Sequence, residues 1–172
     1  MRRWAPQVVA VSLFLGGCAS SNAGRVENGT FSSPKGYQVR LPPVGWNVTA
    51  NPNADLELRR TAPSGAMLVD ASCGGAEIDR SLPVLARQLT VGLTNRQTVE
   101  SDTWTIGTRT AAHRVIRGKS DGADVMVEAV VVKGERCVHD FLYVAPPGDF
   151  EKGRPDFKLL VESLRGIGDD VR

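Results

Sequence analysis

The sequence predicts an α+β fold in which helices pack against an antiparallel sheet of about six strands. Short runs of alternating apolar and polar residues are separated by Pro and Gly, which is typical of strands and turns. Two stretches place apolar residues along one helical face. Two neighbouring β-rich runs are apolar on both faces, which is typical of strands inside a sheet that is covered on both sides.

The composition is that of a globular domain. Of the 172 residues, 41% are hydrophobic, 18 are Gly and 10 are Pro, which excludes a low-complexity chain. There are 21 Lys and Arg against 19 Asp and Glu, and Arg2 and Arg3 account for the excess. Because the charges balance without the N-terminal segment, we expect no nucleic acid as a partner.

The N-terminal segment is predicted to direct export. Residues 1–17 combine the basic Arg2 and Arg3 with the apolar run 8–15. That run is shorter than the roughly 20 residues that span a bilayer and has the length of a signal-peptide core. Leu15-Gly16-Gly17-Cys18 resembles the lipobox of bacterial lipoproteins. The resemblance implies cleavage after Gly17 and lipidation of Cys18, whereas in an ordinary secretory signal Cys18 would be incidental.

The segment after the cysteine is predicted to be a tether. Residues 18–34 are mostly small and polar, so we expect a lipidated Cys18 followed by a flexible linker. In lipoproteins of this pattern, Asp after the cysteine retains the protein at the inner membrane. Ala19 stands there instead, and it favours the outer membrane, facing the periplasm, in a bacterial cell envelope.

Residues 35–166 are predicted to form one folded domain, with 167–172 as a C-terminal tail. The alternating runs and their Pro and Gly boundaries predict strands over 37–41, 55–61, 66–73, 98–106, 110–118, 125–132 and 137–145. The last two are the runs that are apolar on both faces, and residues 133–136 join them as a hairpin.

Two helices are predicted. Ser81 is a good N-cap, and the stretch after it aligns four leucines on one face, ending at Leu93. Pro155 is predicted to open the last helix, which carries Phe157, Leu160, Val161 and Leu164, with Gly166 as C-cap.

The two ends of this domain resemble a known family. The opening Tyr37-Gln38-Val39-Arg40-Leu41-Pro42-Pro43-Val44-Gly45-Trp46 resembles the "strand, Pro, Gly-Trp" start of the PsbP-like superfamily. The strand with Phe141 and Tyr143, then Phe150, then the stretch 157–165 resemble its closing helix with "Ser-Leu". The superfamily includes the extrinsic photosystem subunit, a yeast Ran-binding import factor, and bacterial lipoproteins of the DcrB and LpqN types. The resemblance implies an αβα sandwich with a non-enzymatic binding or assembly role, and it transfers no catalytic residues.

Cys73 and Cys137 are the cysteines that remain after Cys18. An even pair in an oxidising compartment, each on a predicted strand, favours a disulfide, while two separate buried thiols are the alternative. The chain has no C-x-x-C and no second ligand at metal spacing, so we expect no metal site and no cofactor.

The two histidines do not form a recognisable catalytic motif. His113 lies on a predicted strand near Arg114 and Arg117, and His139 is followed by Asp140. We interpret His139 as a partly buried strand residue and assign no catalytic residues. The basic stretches 59–60 and 109–119 favour a solvated strand face, with anionic lipid or lipopolysaccharide as the alternative.

Two tryptophans are candidates for contact residues. Trp46 is predicted to fill a local part of the hydrophobic core. Trp104 lies among polar residues, and it either fills a local part of the core or is a contact residue on a binding surface. We assign it as the candidate partner contact.

The functional expectation is a lipid-anchored, non-catalytic module that binds another envelope protein or complex or assists its assembly. A carrier of lipid or another apolar ligand is one alternative, and it requires an apolar cavity. An envelope hydrolase is the other, and it requires titratable groups that converge in a pocket.

Overall fold

Residues 24–166 are described by a computed structural model, and they form two sheets and two helices. In chain order the elements are β1 (Arg25–Glu27), β2 (Thr30–Ser33), β3 (Tyr37–Arg40), β4 (Asn47–Thr49), β5 (Leu56–Arg60), β6 (Gly65–Cys73), α1 (Leu82–Gln88), β7 (Thr94–Ile106), β8 (Arg109–Ser120), β9 (Ala123–Lys133), β10 (Cys137–Ala145), α2 (Phe150–Glu162) and β11 (Arg165–Gly166). The predicted signal peptide 1–17, the lipidation site Cys18 and the tail 167–172 lie outside the described residues.

The larger sheet has seven antiparallel strands in the order β4-β5-β6-β10-β9-β8-β7. The predicted hairpin β9–β10 lies inside this sheet, which confirms the prediction made from its two apolar faces. One face is covered by α2 and the smaller sheet, and we call it the α2 face. The other face carries α1 and is called the α1 face. The predicted αβα sandwich is therefore confirmed.

The smaller sheet corrects the predicted start of the domain. Its order is β1-β2-β3-β11, so a part of the predicted tether 18–34 is folded as β1 and β2. Phe31 pairs with Val39, and with 2% exposure it belongs to the larger core cluster. One aromatic residue among small polar ones gives little periodicity, and for this reason the sequence of the segment predicts a linker. The segment is stabilised instead by hydrogen bonding between β2 and β3 and by burial of Phe31.

Both helices differ from their predicted bounds. Helix α1 ends at Gln88, so Leu93 is not on its apolar face, and Ser81 makes no side-chain capping bond. Helix α2 begins at Phe150 rather than at Pro155, which lies inside it. Phe150 is buried because its ring stacks on Tyr143, with centroids 5.3 Å apart. This tertiary contact extends the helix by its first turn.

The end of α2 is also different. Ser163 is its C-cap, and Gly166 is not a cap residue but pairs with Tyr37 as part of β11. Neither helix found in residues 24–166 is long and apolar enough to cross a membrane.

The predicted disulfide is confirmed. Cys73 and Cys137 stand opposite each other at the ends of β6 and β10, and their sulfur atoms are bonded. The bond joins residues 64 positions apart in the chain.

Candidate functional site

A buried charged network joins β7, β8 and β9. His113 is 1% exposed, and both of its ring nitrogens face carboxylates. Nδ1 lies 2.6 Å from Oδ1 of Asp102, and Nε2 lies 2.8 Å from Oε1 of Glu128. Because an ionised carboxylate only accepts hydrogen bonds, His113 donates from both nitrogens and carries a positive charge.

Arg154 connects this network to α2. Its Nε donates to Oε2 of Glu128 at 3.1 Å, and its two terminal nitrogens donate to the carboxylate of Glu100 at 3.0 and 2.9 Å. The forked geometry matches the bidentate pairing that is typical of Arg and carboxylate. Burial lowers the pKa of Arg154, but the bonds to Glu100 and Glu128 outweigh it and raise the pKa overall.

Hydrogen bonding within the network leaves His113 unavailable as a general base. Burial lowers the pKa of His113, yet the hydrogen bonds to Glu128 and Asp102 raise it by more, so the pKa lies above its ordinary value. With both nitrogens donating to carboxylates, His113 has no lone pair with which to accept a proton from a substrate. The arrangement therefore fastens α2 to the sheet rather than providing a general base.

Sequence reasoning missed this network. The sequence places His113 near Arg114 and Arg117, whereas its partners lie 11 and 15 residues away on other strands. One signal was present in the sequence. Glu128 interrupts an otherwise apolar run, and a carboxylate buried in such a run needs a cation.

Trp104 lies on top of this network. Its ring stacks on that of His113, with centroids 4.1 Å apart and planes 19° apart. The side chain is half-buried and packs against the larger core cluster. One face of the ring is therefore used in packing within the domain. The partner contact assigned to Trp104 stays a prediction.

Trp46 is the tryptophan that is predicted to fill a local part of the core. It packs against the larger core cluster, and its Nε1 donates to Oδ2 of Asp156 at 3.0 Å. The guanidinium of Arg60 lies 4.4 Å from the ring centroid and also pairs with Asp156, at 2.9 Å. Arg59 pairs with Glu57. The basic stretch 59–60 is therefore used within the fold.

His139 and Asp140 point to opposite faces of β10 and do not form a catalytic pair. His139 is buried against Tyr37, with ring centroids 5.2 Å apart, and burial lowers its pKa. Cys137, two residues before it, is bonded to Cys73, so no Cys–His dyad exists there. The interpretation of His139 as a strand histidine is confirmed.

Asp140 lies on the α1 face, directly opposite Asp70 on β6. Burial raises the pKa of Asp140 to about 6, and the negative charges of Asp70 and Glu77 act in the same direction. Its Oδ1 is buried without a hydrogen-bond partner among residues 24–166. In the same part of the chain, no three His, Cys, Asp or Glu side chains meet in a way that would hold a metal ion.

Two open cavities flank α1 on its face of the sheet. The first, of about 360 Å³, lies between α1 and strands β7 and β8. The second, of about 200 Å³, lies at the end of α1. Helix α1 is only seven residues long, so it covers part of a seven-stranded sheet and leaves these spaces on either side. The second cavity is lined mainly by apolar side chains, namely Leu89, Leu93, Val127, Leu142 and Val144.

Solved structures share this fold. Neither a protein-family model nor a curated protein matches the chain. The cyanobacterial PsbP protein from Synechocystis has a TM-score of 0.58 at 14% identity, covering 88% of this chain and 98% of its own. LpqN, involved in cell envelope biogenesis of Mycobacterium tuberculosis, has a TM-score of 0.63 at 15% identity, covering 77% and 84%.

A protein from Bacteroides thetaiotaomicron also matches, with a TM-score of 0.60 at 13% identity over 83% of this chain. The chain spans 50% of the length of that protein. At such identities the likeness shows the fold alone. The predicted resemblance to the PsbP-like superfamily is thus confirmed as a PsbP-like fold.

Proposed function

We propose that this chain, whose fold is PsbP-like, is a lipid-anchored envelope protein that works as a non-catalytic binding module for another envelope protein or complex. The single observation that carries the proposal is the contrast between the two faces of the sheet. The α2 face is closed by a helix and a second sheet, whereas the α1 face keeps two open cavities beside a short helix.

The titratable side chains support a binding role over a catalytic one. His113 is held between two carboxylates, and His139 lies buried on the closed α2 face. Asp140 is paired in register with Asp70 rather than with a base. Within residues 24–166, we therefore find no imidazole that reaches a cavity with a nitrogen free to accept a proton.

The lipid anchor is proposed from residues 15–18, which precede the described part of the chain. The lipobox at Cys18 implies a membrane-bound protein, with Ala19 favouring the outer membrane. LpqN, which shares the fold, is described as involved in cell envelope biogenesis. That description supports an envelope location for this chain as well.

Carriage of an apolar ligand is the second candidate. The cavity at the end of α1 has apolar walls, which favours it. Its volume of about 200 Å³ is below the roughly 300–1,000 Å³ of typical ligand pockets, so we place it second.

Site-specific photo-crosslinking in intact cells tests the binding face. A photoreactive amino acid replaces Val91, which is exposed directly after α1, or Leu159, which is exposed on the outer side of α2. We expect a discrete adduct with an envelope protein from position 91 and none from position 159. Equal labelling from both positions, or none from either, would contradict the proposed face.

Cell fractionation tests the anchor. The Cys18→Ser variant should accumulate as an unprocessed or soluble envelope species, because the thioether to the lipid cannot form. A variant that matures normally and still sediments with membranes would show that Cys18 is not the anchor.

Trp104 is proposed as a partner contact through the part of its ring that His113 does not cover. The ring lies on the α2 face but on the edge strand β7, so a partner bound to the α1 face contacts it by reaching around this edge. In the crosslinking assay, Trp104→Ala should weaken adduct formation from position 91, and Trp46→Ala, a core substitution of the same size, controls for loss of stability. Equal weakening by both variants would leave Trp104 as a core residue only.

A further inference from the structure

The larger cavity has a cationic wall. Arg87 on α1 and Arg114 on β8 both line it, and Arg96 at the start of β7 is close enough to repel Arg114. None of the ion pairs described within residues 24–166 contains any of these three arginines. This distinguishes them from Arg60 and Arg154, which are paired.

Arg114 is incompletely satisfied. One terminal nitrogen donates to Oγ1 of Thr98 at 3.0 Å, but Nε is buried with no hydrogen-bond partner among the described residues. Burial lowers the pKa of Arg114, and the charges of Arg87 and Arg96 lower it further. A buried charged donor without an acceptor is costly, so an acceptor that enters the cavity would be stabilised.

The rest of the lining suits an oxyanion. Ser101, Thr103 and Thr110 supply hydroxyl donors, while Leu82 and Pro83 form an apolar side. Asp102 is the one carboxylate in the lining, and its Oδ1 is bonded to the charged His113. Guanidinium forks bind phosphate bidentately, and hydroxyls add bonds to the remaining oxygens.

We propose that the cavity between α1 and strands β7 and β8 binds the phosphate group of a small ester or a lipid headgroup through Arg87 and Arg114. This inference rests on the proposed binding role and names the ligand chemistry of the same face. A phosphate fits better than a carboxylate because it carries more oxygens and up to two negative charges, against three arginines.

Binding is measured by calorimetry on the full chain in a non-ionic detergent, with inorganic phosphate and glycerol 3-phosphate as soluble probes. Flotation with vesicles of phosphatidylcholine, with and without phosphatidylglycerol, tests the headgroup. Arg87→Gln and Arg114→Gln should each weaken binding roughly 10- to 100-fold, the effect of losing a hydrogen bond to a charged group. Arg117→Gln, an exposed arginine of β8 outside the lining, is the matched control and should change binding less than twofold.

Saturable binding of the soluble probes alone assigns the site to a free phosphate ester, and binding of phosphatidylglycerol vesicles alone assigns it to a headgroup. Absence of saturable binding to every probe would overturn the inference, as would equal weakening by Arg117→Gln. Because Arg87 is exposed, its substitution leaves a folded protein even if that of half-buried Arg114 does not. Crosslinking from position 91 that persists when phosphate binding fails would overturn the phosphate site and leave the proposed binding role standing.

Discussion

His113 on β8 and Glu128 on β9 face each other inside the sheet, with Nε2 of the one 2.8 Å from Oε1 of the other, and each residue is 1% exposed. Arg154 reaches the same carboxylate from α2. The neighbouring strands β8 and β9 and the later helix α2 are thus joined through one buried acid. A buried charge without a partner is costly, and each of these three side chains is stabilised by an opposite charge beside it.

Removal of that acid's charge should strongly destabilise the fold. In Glu128→Gln the charges of His113 and Arg154 lose their shared partner, and we expect a decrease of about 3–5 kcal/mol in the free energy of unfolding. Urea unfolding followed by circular dichroism measures it. Asp124→Asn on the same strand removes a surface pair with Lys119 and should cost less than about 1 kcal/mol. Similar losses in both variants would contradict the prediction.

The same pair should make stability depend on pH. Because the pKa of His113 is raised in the folded state, the folded protein binds the proton more tightly than the unfolded chain. Its stabilising contribution is complete below the unfolded pKa of about 6.5 and is lost as the pH rises through the folded pKa. The stability difference between wild type and His113→Gln should therefore shrink with rising pH.

His139 provides the matched control for this pH dependence. Burial lowers its pKa, so its contribution has the opposite sign and stability falls as the pH drops below about 6.5. The stability difference between wild type and His139→Gln should therefore grow with rising pH. Equal pH profiles for the two histidine variants would contradict both assignments.

Neutralising Asp140 should stabilise the protein at neutral pH. The pKa of this buried carboxyl is raised to about 6 from 3.8, so its stability contribution is present at low pH and is lost as the pH rises through that window. Asp140→Asn should add about 1–3 kcal/mol at pH near 8 and nothing at pH near 3. Asp79→Asn, at an exposed position between β6 and α1, should change stability little at either pH. A loss of stability in Asp140→Asn near pH 8 would indicate that the carboxylate has a stabilising partner.

Gly153 should not tolerate a methyl group. It lies in α2 above Tyr143, and a Cβ there would meet the hydroxyl and come within 2.6 Å of Cζ of that ring. Although Ala favours helix, we expect Gly153→Ala to lower the free energy of unfolding by about 1–3 kcal/mol through overpacking. Gly148→Ala, where a Cβ meets nothing within 4 Å, is the control and should be near neutral. Thermal unfolding that ranks the two variants in the reverse order would contradict this packing.

The disulfide should contribute to stability through the loop that it closes. Replacing Cys73 and Cys137 together by Ala should cost about 2–4 kcal/mol, because the unfolded chain gains freedom over a separation of 64 residues. A reductant should shift the unfolding midpoint of the wild type and leave that of the double variant unchanged. Quantitative alkylation of both cysteines in native protein without reductant would show that the bond is absent.

The sequence by itself determined the strands and their place in the sheet wherever the information is local. Alternation identified β3, β5 and β6, and two apolar faces placed β9 and β10 inside a covered sheet. The pairing of Cys73 with Cys137 could also be predicted, because two cysteines leave a single connectivity. These properties depend on residues that are neighbours along one strand or are unique in the chain.

Tertiary structure decided what depends on distant partners. β2 forms because it pairs with β3, and β1 forms because it pairs with β2. The first turn of α2 forms because Phe150 stacks on Tyr143. The His113 network and the cavity beside α1 likewise arise only when β7, β8, β9 and the helices reach their final register. Hydrogen bonds, ion pairs and cavities require atoms to meet within a few ångströms, and periodicity along one strand does not specify which distant residues will meet.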